Sequence, residues 1–550
     1  QGGLKPCYTR CFGAAVGKLP SPSPSMVLNN IVLLSDSYKA SHYKQYPPGT
    51  EYVYSYFESR GCVVPEWKEV TFFGLQYFLK EYLAGVVVSQ EKIDEAAELY
   101  ERHFGAGFAV PGHTNPTAFN RAGWEYILKE CGGKLPISIK AVPEGMTVPN
   151  KSALMTVVNT DPKAYWLSNY LETLLVQVWY PMTVCTQSRE QKKSIIKYWE
   201  LTGCDPSGKP PSGVCFCLHD FGFRGVSSVE SAMTGGCAHL VNFIGTDTIA
   251  AMHCADKYYK AGKDSFFNCP AFSIPASEHS TITSWGKEHE VDAMRNMLEQ
   301  YPDGLVACVS DSFDIWKACG EYWGTELKEL IAARPPPAGR LVIRPDSGEP
   351  KDTVLKCLQI LLERFGHTET KTGHKLLPPY VRLIQGDGVN YKTIPEILQT
   401  LSDHKIAAEN VNFGSGGALL QRLDRDTFKC AFKCSEITIN GATRPVFKDP
   451  VTDPGKASKK GRLTLQKAAD TTYEESEVYR SSSQAGIPGG AGSIHKNGDY
   501  ITVSDGKGDP AKDILVEVFR NGEILVEYSL DEIRLRADLP GGPFLSAKAS

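Results

Sequence analysis

The sequence predicts an α/β protein: a parallel, barrel-like α/β domain in the middle of the chain and a second, mixed α+β domain built from the N- and C-terminal flanks. Three observations predict it. Six short apolar runs recur between positions 214 and 417, at intervals suited to intervening helices. Each run ends in small or acidic residues. The segments between them are apolar at helical spacing, as in Val354, Leu355, Leu358, Leu361 and Leu362, or Val291, Met294, Met297 and Leu298.

The runs are 214–222 (VCFCLHDFG), 240–247 (LVNFIGTD), 305–311 (LVACVSD), 341–348 (LVIRPDSG), 381–388 (VRLIQGDG) and 411–417 (VNFGSGG). Continuous apolarity fits parallel strands buried on both faces. Polar residues gathered at strand C-termini point to a barrel whose chemistry sits on one rim, with an open doubly wound sheet as the competing topology. The flanks differ. Residues 31–200 mix a β-rich piece at 52–57 with a helical one at 91–104, and 516–528 reads as a hairpin turning at Asn521-Gly522. The expected division is a disordered leader at 1–25, mixed domain at 26–205 and 419–537, barrel at 206–418, a flexible insertion at 478–498 and a disordered tail at 538–550. Met26 is a candidate start, and the acid-free leader reads as disordered sequence or a transit peptide.

A net charge of -4, with 59 basic against 63 acidic residues, leaves no basic field for nucleic acid. No uncharged apolar run is long enough to cross a bilayer, since Glu172 interrupts the best stretch. The 16 cysteines form no CxxC pair, which favours reduced thiols and a cytoplasmic protein. There is neither a GxxxxGK[ST] nor a GxGxxG after a strand, so P-loop and Rossmann sites are unsupported.

The rim residues ask for a phosphorylated ligand. Arg224, Arg344, Arg382 and Arg425 fall at or beyond strand ends, where guanidinium forks suit several phosphates. Gly414 to Gly417 form a GSGG turn able to point backbone N–H groups at a phosphate, although such turns are more often merely tight loops. Asp247, Asp311, Asp346 and Asp387 end four strands; any one reads as a cap, but four together can hold Mg²⁺ through water or bind sugar hydroxyls. His279 follows Glu278 and precedes an expected helix, as a structural histidine or a nucleophile.

With those residues in place, the chain closely resembles the nicotinamide phosphoribosyltransferase family. The resemblance runs through SDSYK (35–39), HYKQYPP (42–48), YWLSNYLETLLVQ (165–177), LHDFGFRGVSS (218–228), LVNFIGTDT (240–248), PASEHSTITSWGKEHE (275–290), IRPDSG (343–348), IQGDGV (384–389) and FGSGG (413–417). It implies the type II phosphoribosyltransferase fold and a homodimer with shared active sites. It also implies that phosphoribosyl pyrophosphate and nicotinamide give nicotinamide mononucleotide and pyrophosphate, with Mg²⁺ as cofactor and ATP as coupled co-substrate.

Carried over by position, Phe221 and the partner protomer's equivalent of Tyr38 stack on the nicotinamide ring, Asp247 accepts from its carboxamide, and Ser273 joins the substrate site. Arg344 and Arg224 serve pyrophosphate; Asp346, Gly386 and Asp387 serve the ribose. Gly416, Gly417, Arg60, Arg425, Lys433 and Lys448 hold the nucleotide phosphate, and Arg382 is carried with the binding arginines. His279 matches the histidine that ATP phosphorylates, with Glu278 and Asp311 orienting it or, for Asp311, binding Mg²⁺ through water. Two positions depart: Ala307 stands where vertebrate members carry serine, and Phe223 replaces tyrosine. A nicotinate enzyme, and a noncatalytic binding protein retaining the fold, remain as alternatives; nuclear or extracellular placement stays open.

Overall fold

The computed structural model describes residues 29–539 apart from 106–117, 208–212, 263–264, 266–267, 336–338, 453–455, 469–477 and 480–499, together with Phe544. The expected leader and nearly all of the expected insertion lie outside these residues.

All six apolar runs contribute to one parallel sheet. Its order is Gly245–Thr246, Leu218–Asp220, Val411–Ser415, Val381–Gln385, Arg340–Arg344 and Leu305–Val309. The extended segment 272–276 bridges both edges, through Phe272 to Gly245 and through Ala276 to Ala307, and so curls the sheet into a closed ring. Helices that include Pro350–Phe365 and Thr393–Asp403 pack outside it and bury Val354, Leu358, Leu361, Ile397 and Leu401. Two runs are only partly strand: Val214–Phe216 is a 3₁₀ turn, and Leu240 to Phe243 follow the helix Val229–His239. Burial on all sides makes any element apolar, so apolarity marked depth there rather than extension.

The flanks build a seven-stranded antiparallel sheet, ordered Ala442–Pro445, Cys430–Ile439, Thr50–Ser59, Ala153–Asn159, Ile137–Ala141, Val516–Arg520 and Glu523–Ile524. Two pairings in this sheet join opposite ends of the chain, Thr50–Ser59 with Cys430–Ile439 and Ile137–Ala141 with Val516–Arg520. The last two strands form the expected hairpin, with Asn521 at φ 50° and Gly522 at φ 83°, the left-handed pair that a two-residue turn needs. The helix Trp179–Leu201 ties the domains together: Val184 and Cys185 belong to the flank core, and Ile195, Tyr198 and Trp199 to the barrel core.

Three residues are packed where a disordered tail was expected from 538; the rest of that stretch lies outside the described residues. Asp538, Leu539 and Phe544 are buried, and Asp538 pairs with buried Lys192 at 2.9 Å. An unpaired lysine at that depth would be costly, so the pairing keeps Asp538 in place. No helix among the described residues is long and apolar enough to cross a membrane.

Candidate active site

A cavity of about 270 Å³ runs into the barrel from the rim formed by the strand C-termini, where Phe221, Asp247, Ser273 and Arg344 line it. Farther in it is walled by Phe216, His219, Phe272, Ala307, Val342 and Ile384. Phe221 leaves the strand Leu218–Asp220 through a backbone bond to Ser415 at 2.9 Å. Its ring rests on Gly414, where a Cβ would come within 1.9 Å of ring carbon Cε2. Beneath it, buried Asp220 takes the Gly222 N–H at 2.7 Å, and burial lifts its carboxyl to about 6. Asp247 accepts from Ser273 Oγ at 2.5 Å. A carboxylate is acceptor-only, so this corner of the cavity calls for a donor on the ligand.

At the mouth, His279 is the first residue of the helix His279–Thr283, whose N-cap is Glu278. The Glu278 carboxylate takes the Ser280 hydroxyl, its carbonyl takes the Thr281 N–H at 3.1 Å and its N–H donates to Thr281 Oγ1 at 3.3 Å, so this residue sets the pose of the turn carrying His279. His279 Nδ1 lies 3.2 Å from Ser312 Oγ, and Nε2 lies 3.5 Å from Asp346 and 3.7 Å from Asp311. Asp311 Oδ2 accepts from Asp346 N at 2.9 Å and from Ser347 Oγ at 2.5 Å. Its Oδ1 is buried with no hydrogen-bond partner. Arg344 Nη2 reaches Asp346 at 3.2 Å. Gly386 keeps the next strand end close, since a Cβ there would sit 3.3 Å from Asp346 Oδ1, and exposed Asp387 follows it.

The glycine turn lies on the same rim. Gly416 and Gly417 pass against the backbone of Phe221 and Gly225, and Gly417 opens the short helix Gly417–Leu420. Arg224 stands exposed in the facing loop.

Five expected residues lie elsewhere. Arg60, Arg425, Lys433 and Lys448 line a cleft of about 910 Å³ on the flank domain, with Lys151, Lys429 and Lys456. Burial depresses Lys433 below the ordinary lysine value; Glu172 opposes the shift, while Arg60 and Lys448 add to it. Such crowding of like charge calls for an anion. Tyr38 is 58% exposed on the 3₁₀ helix Ser37–Lys44, near Asp36 of that cleft, and its ring meets His42 edge-on at 4.9 Å and the Lys39 ammonium at 5.4 Å. Among the described residues, no hydrogen bond, ion pair or ring contact joins these five to Phe221, Asp247, His279 or Arg344.

Arg382 is a correction. It is the second residue of its strand, far from the C-terminal rim, and its guanidinium is consumed by the carbonyls of Leu377, Pro378 and Val381 and by Glu409 at 2.9 Å. Its role is structural; a sequence reading has only proximity to a strand and cannot tell its two ends apart in a short run. Residues missed by that reading include His219, Ser312 and Ser347. His219 follows the strand alternation of LHDFG into the cavity wall, a signal that was available. Burial holds it below the ordinary histidine value, against the pull of nearby Asp247. Ser312 and Ser347 carry no signal beyond adjacency to Asp311 and Asp346.

Two family models match: "Nicotinate phosphoribosyltransferase (NAPRTase) family" over residues 216–488, and "Nicotinamide phosphoribosyltransferase, N-terminal domain" over residues 30–139. The chain is 47% identical over 513 residues to the nicotinamide phosphoribosyltransferase of Xanthomonas campestris pv. campestris, covering 93% of this chain and 98% of that one. It is 33% identical to the enzyme of the same name from Acinetobacter baylyi, covering 91% and 95%. Among solved structures, nicotinate-nucleotide pyrophosphorylase from Pyrococcus furiosus aligns with TM-score 0.52 at 15% identity, covering 94% of this chain and 97% of that one. Human nicotinic acid phosphoribosyltransferase aligns with TM-score 0.52 at 14% identity, covering 92% and 93%. At such identities the structural likeness speaks for the type II phosphoribosyltransferase fold. The sequence identities over nearly the whole chain go further: this chain belongs to the nicotinamide phosphoribosyltransferase family.

Proposed function

We propose that the chain transfers the phosphoribosyl group of phosphoribosyl pyrophosphate to nicotinamide, giving nicotinamide mononucleotide and pyrophosphate in NAD salvage. The observation that carries this reading is the axial cavity. Its Phe221 face is shaped for a flat ring, its Asp247 corner accepts from a carboxamide, and it opens onto Arg344, Asp346 and the glycine turn. The pyridine nitrogen donates its lone pair to the anomeric carbon as the bond to pyrophosphate oxygen breaks; no proton needs to move. The chain holds the ring in line and stabilises the charge leaving on the diphosphate through Arg344 and Arg224. Asp346 and Asp387 take the ribose hydroxyls, and Gly386 lets the sugar approach.

The active form is a homodimer. The phosphate cleft and Tyr38 of one protomer would meet the rim of its partner, which accounts for a cation cluster without contact to the rim of its own chain. Bound Mg²⁺ would screen the diphosphate. The Oδ1 of Asp311, which accepts no hydrogen bond and faces His279 Nε2 at 3.7 Å, suits it directly or through water. Since no group of three or more His, Cys, Asp or Glu is arranged to hold a metal among the described residues, its remaining ligands would come from substrate oxygens and water.

His279 is the phosphoryl acceptor for ATP. A ring nitrogen forms the P–N bond as the bond to ADP breaks, and water later releases phosphate. Support comes from its exposed place at the mouth, between Asp311 and Asp346 and on the helix held by Glu278. A cytoplasmic setting is supported by the free thiols at all described cysteines. Nicotinate is disfavoured because its carboxylate would face Asp247. Turnover of purified protein with each pyridine and phosphoribosyl pyrophosphate tests the assignment: the amide should be used in strong preference, and preference for the acid would overturn it.

A further inference from the structure

Behind the cavity, on the side away from the rim, the C-terminal segment forms a brace. The helix Leu530–Ala537 is started by a capping box of Ser529 and Glu532. Its fully buried Arg534 donates from Nε to Leu240 O at 2.9 Å and from Nη2 to Pro270 O at 2.6 Å. These two carbonyls lie just ahead of the segments that carry Asp247 and Ser273. Buried Arg189 holds the helix end through Ala537 O at 2.8 Å. Asp538 then accepts from Lys192, from Leu539 N at 3.0 Å and from Phe544 N at 2.9 Å.

Phe544 is the tip of this brace. It is fully buried, with the Lys192 ammonium 4.5 Å and the Arg534 guanidinium 5.2 Å from its ring centre. It packs with Cys215 and Ile244, and Phe216 packs against that cluster. Phe216 in turn lines the cavity, its ring 6.1 Å from Phe272 and 6.4 Å from His219. Ile244 is bonded on both sides, donating to Cys215 O at 3.0 Å and accepting from Phe272 N at 2.8 Å. Phe544 therefore backs the Phe216 wall through this cluster and the Phe272 wall through Ile244, whose carbonyl holds Phe272 N, and close-packed interiors transmit such support.

We infer that Phe544, locked in place by the Lys192–Asp538 pair, is a positioning residue for the pyridine pocket: it holds Phe216 and Phe272 against the bound ring without touching substrate. The inference rests on the nicotinamide reading of that pocket. Truncating Phe544 opens space behind Phe216, into which the wall relaxes, loosening the grip on the pyridine and leaving the rim that holds phosphoribosyl pyrophosphate unaltered.

The test is steady-state kinetics on full-length Phe544→Ala and Phe544→Leu, varying each substrate, with melting temperatures alongside. For Phe544→Ala, KM for nicotinamide should rise about tenfold, while KM for phosphoribosyl pyrophosphate and kcat stay within about twofold. Phe544→Leu should recover most of the loss. An unchanged nicotinamide KM, or both KM values rising together in step with a lowered melting temperature, overturns the inference. If the alanine variant does not fold, Phe544→Val, a smaller truncation that leaves the Lys192–Asp538 pair intact, must show the same one-sided rise. Failure of the wild-type protein to use nicotinamide would instead sink the functional reading.

Discussion

Gly414 and Phe221 are in edge-to-backbone contact so tight that the strand residue has room for no side chain: a Cβ on Gly414 would stand 1.9 Å from the Phe221 ring. Gly414→Ala must push the ring across the cavity. The expected cost is about a hundredfold in kcat/KM for nicotinamide, the scale of lost aromatic packing plus overpacking. Gly386→Ala, whose Cβ would sit 3.3 Å from Asp346 Oδ1, should cost less than about tenfold and fall on phosphoribosyl pyrophosphate instead. Kinetics on both substrates check the pair, and a Gly414→Ala enzyme with ordinary nicotinamide kinetics would refute the packing argument.

Asp247→Ser replaces an acceptor-only group by one that also donates. Discrimination against nicotinate should narrow by about one to two orders of magnitude, the scale of one charged hydrogen bond. Competition between the two pyridines measures it. An unaltered preference would assign amide reading to another residue.

His279→Ala should abolish the gain in turnover that ATP brings while leaving slow, ATP-independent synthesis. Rates with and without ATP, together with acid-labile labelling from γ-labelled ATP, are the readout. Persistent stimulation or labelling in the variant excludes His279 as acceptor.

The proposal that each site is shared between two protomers makes a quantitative prediction for mixed protomers. Phe221→Ala disables the rim and Arg425→Ala the phosphate cleft, yet a heterodimer of the two rebuilds one intact site. Co-refolding equal amounts should restore about a quarter of wild-type activity, by random pairing into a two-fold dimer. No recovery, with dimers present by sedimentation, would place both residues in one protomer's site.

Glu144 supplies a pH test of stability. It is buried under the flank domain, accepting from Gly74 N at 3.1 Å and Gln76 N at 2.6 Å, and burial raises its carboxyl to about 7. Between the unfolded value near 4.5 and the folded value near 7 the unfolded chain ionises first, so stability falls as pH rises through that window. The full effect is about 3 kcal/mol at most. Glu144→Gln should flatten the decline, and melting curves from pH 4.5 to 8 will show it; parallel curves for the two proteins would deny Glu144 this role.

Much of this architecture was legible because buried parallel strands leave continuous apolar runs, and all six marked a real member of the ring. Boundaries failed where depth rather than extension made a run apolar, as at Val214 and Leu240. The rim acids and glycines could be read because each ends a strand, and the resemblance supplied their partners. Arg382 misled because proximity to a strand says nothing about which end faces the ligand. The packing of Asp538 was invisible: its partner is Lys192, 346 positions away. Nothing local announces a contact of that span.

The ring is sealed by 272–276, a stretch stitched to Gly245 at one end and to Ala307 at the other. Ser273 sits on that seam, and His279 emerges three residues beyond it. The spacing between Ser273 in the cavity lining and His279 at the mouth is therefore a fixed length of rope. One inserted residue would turn every following side chain to the opposite face, so this short span should resist insertion and deletion, while turns outside the seam are free to drift in length.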